Sequence, residues 1–96
     1  MNWINDIDNY GMKCVYVEIE ADGFTYELLV TSSKIGWLWE LYTTEIFESD
    51  NTRITHTTLA EGRTSTMELG KVVVYNAFCN REKYRQNCIE YFTNAA

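Results

Sequence analysis

The chain has 96 residues, of which 46% are apolar and 15% aromatic, which predicts one folded domain over residues 1–96 and excludes a disordered acidic tail. Its net charge of −6 argues against direct nucleic-acid binding, because a phosphate backbone would be repelled. It begins without a secretory signal and has no apolar run of the roughly 20 residues that cross a bilayer, so we expect a soluble, cytoplasmic protein.

The first predicted element is a short N-terminal helix. Asn2 can cap its start, and Gly11 can close it in the left-handed conformation that often ends a helix. The apolar residues between them fall at helical spacing, and they are Trp3, Ile4, Ile7 and Tyr10.

A β-hairpin is predicted next, with Asp22-Gly23 as its type I′ turn, since both central positions of that turn need positive φ. Pairing across the turn puts every apolar residue on one face, and a slip of one residue would turn them all outward. The apolar pairs are Ala21 with Phe24, Ile19 with Tyr26, Val17 with Leu28, and Val15 with Val30. The same register sets Glu18 opposite Glu27, and such like-charge pairs are destabilising.

Two further strands complete a predicted antiparallel four-stranded meander. The third runs from Gly36 to Thr44, and a turn at residues 49–51 leads to a threonine-rich fourth strand from Thr52 to Leu59. Alternation in the third strand assigns Trp37, Trp39 and Leu41 to one face and Leu38, Glu40 and Tyr42 to the other.

One or two C-terminal helices are predicted to pack on one sheet face, which makes the fold class α+β. Ser65 and Glu68 form a capping box, so a helix should begin at Thr66. The β-branched run at residues 72–74 favours a strand instead, but a helical apolar stripe supports the helix. That stripe is Gly70, Val73, Val74, Ala77 and Phe78. A second set, Tyr84, Cys88, Ile89 and Phe92, either continues this helix or belongs to another that starts at Asn80.

No catalytic, cofactor or metal site is predicted. His56 has no acid or nucleophile at motif spacing, and Cys14, Cys79 and Cys88 are too scattered for a usual zinc site, so we interpret the thiols as buried small hydrophobes. The basic residues Arg81, Lys83 and Arg85 are interpreted as ordinary helix charges partnered by Glu68, Glu82 and Glu90.

The solvent face of the sheet is the predicted contact surface for a partner protein. Large side chains left among acids on such a face often mark an interface, although a merely solvated face is the alternative. A glycosidase would also use paired carboxylates, but it would need a deep pocket. The predicted partner-binding residues are Tyr16, Glu18, Glu20, Glu27, Leu29, Leu38, Glu40 and Tyr42.

Charge is divided unevenly along the chain, because residues 1–50 carry ten acids and two bases whereas residues 51–96 carry four acids and six bases. The passage from Gly36 to Tyr42, followed by Ala60 to Glu68, resembles a sheet-then-helix pattern common among small phage-encoded proteins, including anti-CRISPR and anti-restriction proteins. The resemblance implies a small acidic inhibitor that occludes a basic surface of a host nuclease complex, sometimes by imitating nucleic acid.

These observations predict a non-enzymatic inhibitor that binds a basic, nucleic-acid-binding protein of the host through its acidic and aromatic sheet face. The alternative is a small structural or assembly protein that forms a homodimer through the same face.

Overall fold

A computed structural model of the chain describes residues 1–47 and 53–85, with side chains described for residues 1–43 and 57–85. The fold is α+β, as predicted, with C-terminal helices on one face of an antiparallel sheet. The sheet has five strands rather than four, and neighbours in sequence are neighbours in the sheet. The strands are β1 (Ile4–Ile7), β2 (Lys13–Ala21), β3 (Phe24–Ser33), β4 (Gly36–Phe47) and β5 (Arg53–Thr64), and they are followed by helix α1 (Met67–Cys79).

The β2–β3 hairpin has the predicted register. Ile19 lies opposite Tyr26, and Glu18 lies opposite Glu27. Asp22 has a φ of 57° and Gly23 a φ of 79°, so both central turn residues adopt the positive φ that a type I′ turn requires. This turn fixes which face of the hairpin is apolar.

The predicted N-terminal helix is wrong, because residues 4–7 form strand β1 along the edge of β2. The Asp8 carboxylate accepts hydrogen bonds from the backbone N–H groups of Tyr10 and Met12, both at 2.9 Å, and thereby closes a turn between the two strands. Gly11 does adopt positive φ, but in this turn. A ten-residue helix is marginal on its own in water, whereas β2 offers a ladder of backbone partners.

The fourth predicted strand is observed as β5, which extends to Thr64 rather than ending at Leu59. A β-bulge explains the misplaced end: Leu41 lies opposite Ala60 while Tyr42 lies opposite Thr58, so Leu59 is the extra residue. The bulge interrupts the alternation from which a strand is recognised in sequence. The turn predicted at residues 49–51 lies outside the described residues.

Helix α1 begins at Met67, one residue later than predicted. Its N-cap is Thr66, whose hydroxyl accepts a hydrogen bond from the Leu69 N–H at 3.1 Å, so the predicted capping box on Ser65 is wrong by one position. Gly70 faces the sheet so closely that an added Cβ would lie 2.8 Å from a methyl carbon of Val30. Close packing on the sheet thus stabilises a helix in a β-branched segment.

The hydrophobic core lies between α1 and the sheet. Three residues of the predicted helical stripe pack there against side chains of the central strands. They are Val74, Ala77 and Phe78. The buried residues that complete the core are Val15, Tyr26, Leu28, Val30 and Leu41. The five-stranded sheet therefore buries one face under α1, and no described helix packs on its other face.

The chain turns at Asn80 and is helical again over residues 81–85, so the open choice between one and two helices is resolved in favour of two. The first turn of this second helix is fastened to the β2–β3 turn, because Arg81 Nε donates to an Asp22 carboxylate oxygen at 2.7 Å. Arg85 lies 3.9 Å from the same oxygen. The guanidinium carbon of Arg81 lies 4.4 Å from the centre of the Phe78 ring, and that of Arg85 lies 4.0 Å from the centre of the Phe24 ring.

These contacts correct the interpretation of Arg81 and Arg85 as simple helix charges. The hydrogen bond from Arg81 lowers the pKa of the Asp22 carboxyl below its ordinary value, and the nearby positive charges act in the same direction. Glu68 pairs instead with Lys71, at 3.5 Å. In the described parts of the chain, no helix has the length and apolar character needed to cross a membrane.

Candidate functional site

The sheet has two unlike faces, and the one opposite α1, here called the open face, is the candidate site. Side chains alternate along each strand, so the observed register assigns every described strand residue to one face or the other. Its acids are Asp6, Glu18, Glu20, Glu27, Glu40 and Glu61, and its large side chains include Ile4, Tyr16, Leu29, Leu38 and Tyr42. Among the described residues of the open face, the basic side chain is Arg63.

The eight residues predicted to bind a partner all lie on the open face. Pairing between the neighbouring strands β2, β3 and β4 brings them together, because Tyr16 lies opposite Leu29 and Leu29 lies opposite Glu40. In the next row Glu27 lies between Glu18 and Tyr42. The geometry therefore gathers the predicted residues on one continuous surface, and their role in binding stays a prediction.

Several residues of this surface were missed by the sequence analysis. Asp6 lies opposite Cys14 because β1 is a strand, and Glu61 and Arg63 lie opposite Glu40 and Leu38 because β5 continues past its bulge. Period-two alternation in Ala60-Glu61-Gly62-Arg63-Thr64 was the signal that could have found the last two.

Two pairs of glutamates face each other directly across the strands of the open face. One pair is Glu18 with Glu27, and the other is Glu40 with Glu61. The Thr58 hydroxyl donates a hydrogen bond to the Glu40 carboxylate. Directly opposed like charges are an unfavourable contribution to a sheet.

A groove of about 860 Å³ crosses one end of the open face. The turn after β1 contributes Asp8 and Tyr10 to its wall, and the opposite side is formed by Glu61 and Arg63 of β5. Tyr10 is 90% exposed, so its ring extends into solvent. The apolar residues that line the groove include Met12, Leu29 and Leu38, so it combines an apolar surface with charged edges.

Burial and nearby acidic side chains both change the pKa of the Cys14 thiol. Desolvation by burial raises its pKa above the ordinary thiol value, and the charges of Asp6, Asp8 and Glu27 raise it further. The thiol is therefore held protonated at neutral pH. Cys14 fits the interpretation of a buried small hydrophobe.

The predictions for the other two cysteines and the histidine are not confirmed in the same way. Cys79 is exposed on α1, so its predicted burial is wrong. The side chains of Cys88 and His56 lie outside the described residues. Within residues 1–43 and 57–85, no three histidine, cysteine or acidic side chains gather closely enough to hold a metal ion.

No match to this chain was found among protein-family models, curated proteins or solved structures.

Proposed function

We propose that the protein is a non-enzymatic inhibitor that binds a basic, nucleic-acid-binding protein through its open face. The observation that carries this proposal is the position of two glutamate pairs across the strands of the open face, Glu18 opposite Glu27 and Glu40 opposite Glu61. Each pair places two acidic residues at directly opposite ladder positions, within reach of one guanidinium or ammonium group from a partner.

Binding to such a partner changes the energetic effect of the acids. In the free protein the opposed carboxylates repel each other, whereas a cation placed between them converts the repulsion into attraction on both sides. Electrostatic complementarity of this kind accelerates association and disfavours acidic or neutral partners.

The groove supports a protein partner rather than a free cation. Leu29, Leu38 and Met12 offer apolar surface beside the carboxylates of Asp8 and Glu61. Arginine side chains combine an apolar stem with a planar charged head, and they are enriched in nucleic-acid-binding sites and at interface hot spots. An arginine-rich surface therefore suits both parts of the groove.

The more specific form of the proposal is inhibition of a host-defence nuclease complex in the host cytoplasm by a phage- or mobile-element-encoded protein. Its support is the resemblance of residues 36–42 and 60–68 to small anti-CRISPR and anti-restriction proteins, together with the acidic character of the open face. In this form the carboxylates imitate the phosphates of the nucleic acid that the host complex binds.

The test is affinity capture from a bacterial lysate at low and moderate salt, followed by mass spectrometry. The immobilised proteins are the wild type, an open-face variant (Glu18→Lys with Glu40→Lys) and a control (Glu68→Lys with Glu82→Lys). Each variant changes the net charge from −6 to −2, because two reversals add two charges each. Wild type and control should capture the same nucleic-acid-binding protein, in a salt-sensitive manner, and the open-face variant should lose it.

Two results would reject the proposal. One is capture that is equal for the open-face variant and the wild type, since the acids would then have no role. The other is equal loss of capture in both variants, since net charge rather than the open face would then be responsible.

A further inference from the structure

The groove on the open face changes in chemical character from one end to the other. Its first end, at the turn after β1, carries the Asp8 carboxylate and the exposed ring of Tyr10. Its middle is apolar and includes Leu29 of β3 and Leu38 of β4. Its far end, on β5, carries Glu61. The groove therefore has an acidic part, an apolar part and a second acidic part along its length.

Hydrogen bonds position an acid at each end of the groove. The Asp8 carboxylate accepts hydrogen bonds from two backbone N–H groups of its own turn, both at 2.9 Å. At the far end, the Thr58 hydroxyl donates to the carboxylate of Glu40, which lies opposite Glu61 in the ladder. Groups that are already positioned lose little conformational freedom on binding, so the two ends favour a ligand whose positive charges have a matching separation.

The length of the groove suits a short extended peptide. Strand order places the turn after β1 and strand β5 four strand spacings apart, which is about 19 Å at about 4.8 Å per spacing. In an extended chain the first and fifth residues are about 13 Å apart, and the first, third and fifth side chains point to the same side. Long basic side chains at the first and fifth positions can reach across the remaining distance.

We propose that the groove binds an extended segment of the basic partner in which two arginines flank an apolar residue, in the order Arg-x-apolar-x-Arg. The guanidinium groups lie at the two acidic ends, and the apolar side chain lies over Leu29 and Leu38. Tyr10 offers its ring face to the arginine at the first end. This inference rests on the proposed function, because it specifies the segment of the basic partner that the open face recognises.

Arg63 limits where positive charge on the peptide is favourable. It lines the groove and lies opposite Leu38 in the ladder, beside the apolar middle part. Because like charges repel, a peptide with positive charge at its central position would approach a guanidinium rather than a carboxylate. The groove therefore selects a pattern of charge and not positive charge alone.

NMR titration of the protein with two peptides of identical composition and blocked termini tests the pattern. The patterned peptide is Arg-Ser-Leu-Ser-Arg. The control peptide, Ser-Arg-Leu-Arg-Ser, has the same charge and the same central leucine, but its arginines point to the side opposite the leucine. The wild type should bind the patterned peptide at least about threefold more tightly, and added salt should weaken both complexes.

Matched variants locate the contacts. Glu61→Gln should weaken binding of the patterned peptide about twofold to fivefold, as the loss of one exposed ion pair does. Its control is Glu82→Gln, which makes the same change in net charge at an exposed position of the second helix and should bind as the wild type does. Leu38→Ala should also weaken binding, whereas Leu69→Ala removes a leucine of similar exposure, 47% against 41%, and should have no effect.

The outcomes separate this proposal from the proposed function. Equal affinity of the wild type for the two peptides would overturn the pattern and leave a basic partner on the open face, since both peptides carry the same charge. Equal effects of Glu61→Gln and Glu82→Gln would also overturn it. Absence of binding by both peptides at low salt would overturn it too, and lysate capture then decides the proposed function by itself. Selective binding of the patterned peptide, without capture of a basic protein, would support the groove and contradict the proposed function alone.

Discussion

Leu28 and Leu29 are neighbours in β3, yet they belong to opposite faces of the sheet. Leu28 is fully buried against α1, whereas Leu29 is half-buried on the open face between Tyr16 and Glu40. The covered face consists of close apolar packing, and the open face has glutamates at opposed ladder positions. The contrast shows that the core depends on one face of the sheet, while the other face combines acidic and large side chains.

The largest change in the free energy of unfolding should come from substituting one of these two leucines. Leu28→Ala should lower the free energy of unfolding by about 2–5 kcal/mol, because it leaves a cavity in the core. Leu29→Ala should cost only about 1 kcal/mol, in proportion to the smaller area that it buries. Urea unfolding followed by tryptophan fluorescence measures both values. Equal losses would show that the open face also contributes to the core.

A smaller effect is expected where α1 touches the sheet. Gly70→Ala places a Cβ against Val30 and Thr64, and the resulting overpacking should cost about 1–3 kcal/mol. The higher helix propensity of alanine offsets only up to about 1 kcal/mol of this cost. Thermal unfolding should show a net destabilisation. The control Asn76→Ala, at an exposed helix position, should be neutral or slightly stabilising, and the reverse order would contradict the close approach of α1.

Acid should weaken the link between the second helix and the hairpin turn. The folded-state pKa of Asp22 is lowered, so its contact with Arg81 adds stability above the unfolded pKa, near about 3.9, and loses it as the pH falls through the folded value. Asp22→Asn removes this titration, and asparagine tolerates the positive φ of the turn.

Urea midpoints between about pH 5 and about pH 2 measure the effect, since the lowered carboxyl titrates in that window. The wild type should lose more stability than Asp22→Asn over this range. The control Glu82→Gln removes the acid next to Arg81 in sequence, and it should keep the wild-type pH dependence. A control that behaves like Asp22→Asn would contradict the role of the contact.

The smallest predicted effect is an increase, rather than a decrease, in the free energy of unfolding. Glu61→Gln removes the charge facing Glu40 across the ladder, so it should stabilise the protein by a few tenths of a kcal/mol at low salt. Glu68→Gln removes the partner of Lys71 and should be neutral or slightly destabilising. Chemical unfolding at two salt concentrations checks both. Destabilisation by Glu61→Gln would show that this acid has a stabilising contact in the free protein.

The hairpin and the composition of the open face could be predicted because their signals are local. Asp22-Gly23 fixes the turn, and the alternation on both sides then determines the register from Val15 to Val30. Alternation in β4 assigned Leu38, Glu40 and Tyr42 to the open face by the same reasoning.

The remaining features depend on contacts that a local pattern does not contain. Strand β1 forms because the edge of β2 and the Asp8 turn are available to it, although its residues also fit a helical period. The bulge at Leu59 hid the end of β5, and with it Glu61 and Arg63. The contact between Arg81 and Asp22 joins residues 59 positions apart, and no spacing rule connects them.

The most direct test of the open face is leucine-methyl NMR during titration with an arginine-rich peptide. Leu29 and Leu38 report on the open face, Leu28 and Leu41 on the core, and Leu69 on the outer side of α1. Binding should shift the methyl signals of Leu29 and Leu38, leave the other three nearly unchanged, and weaken as salt is added. Shifts concentrated at Leu69, or no shifts at low salt, would contradict the claim that the open face binds a basic protein.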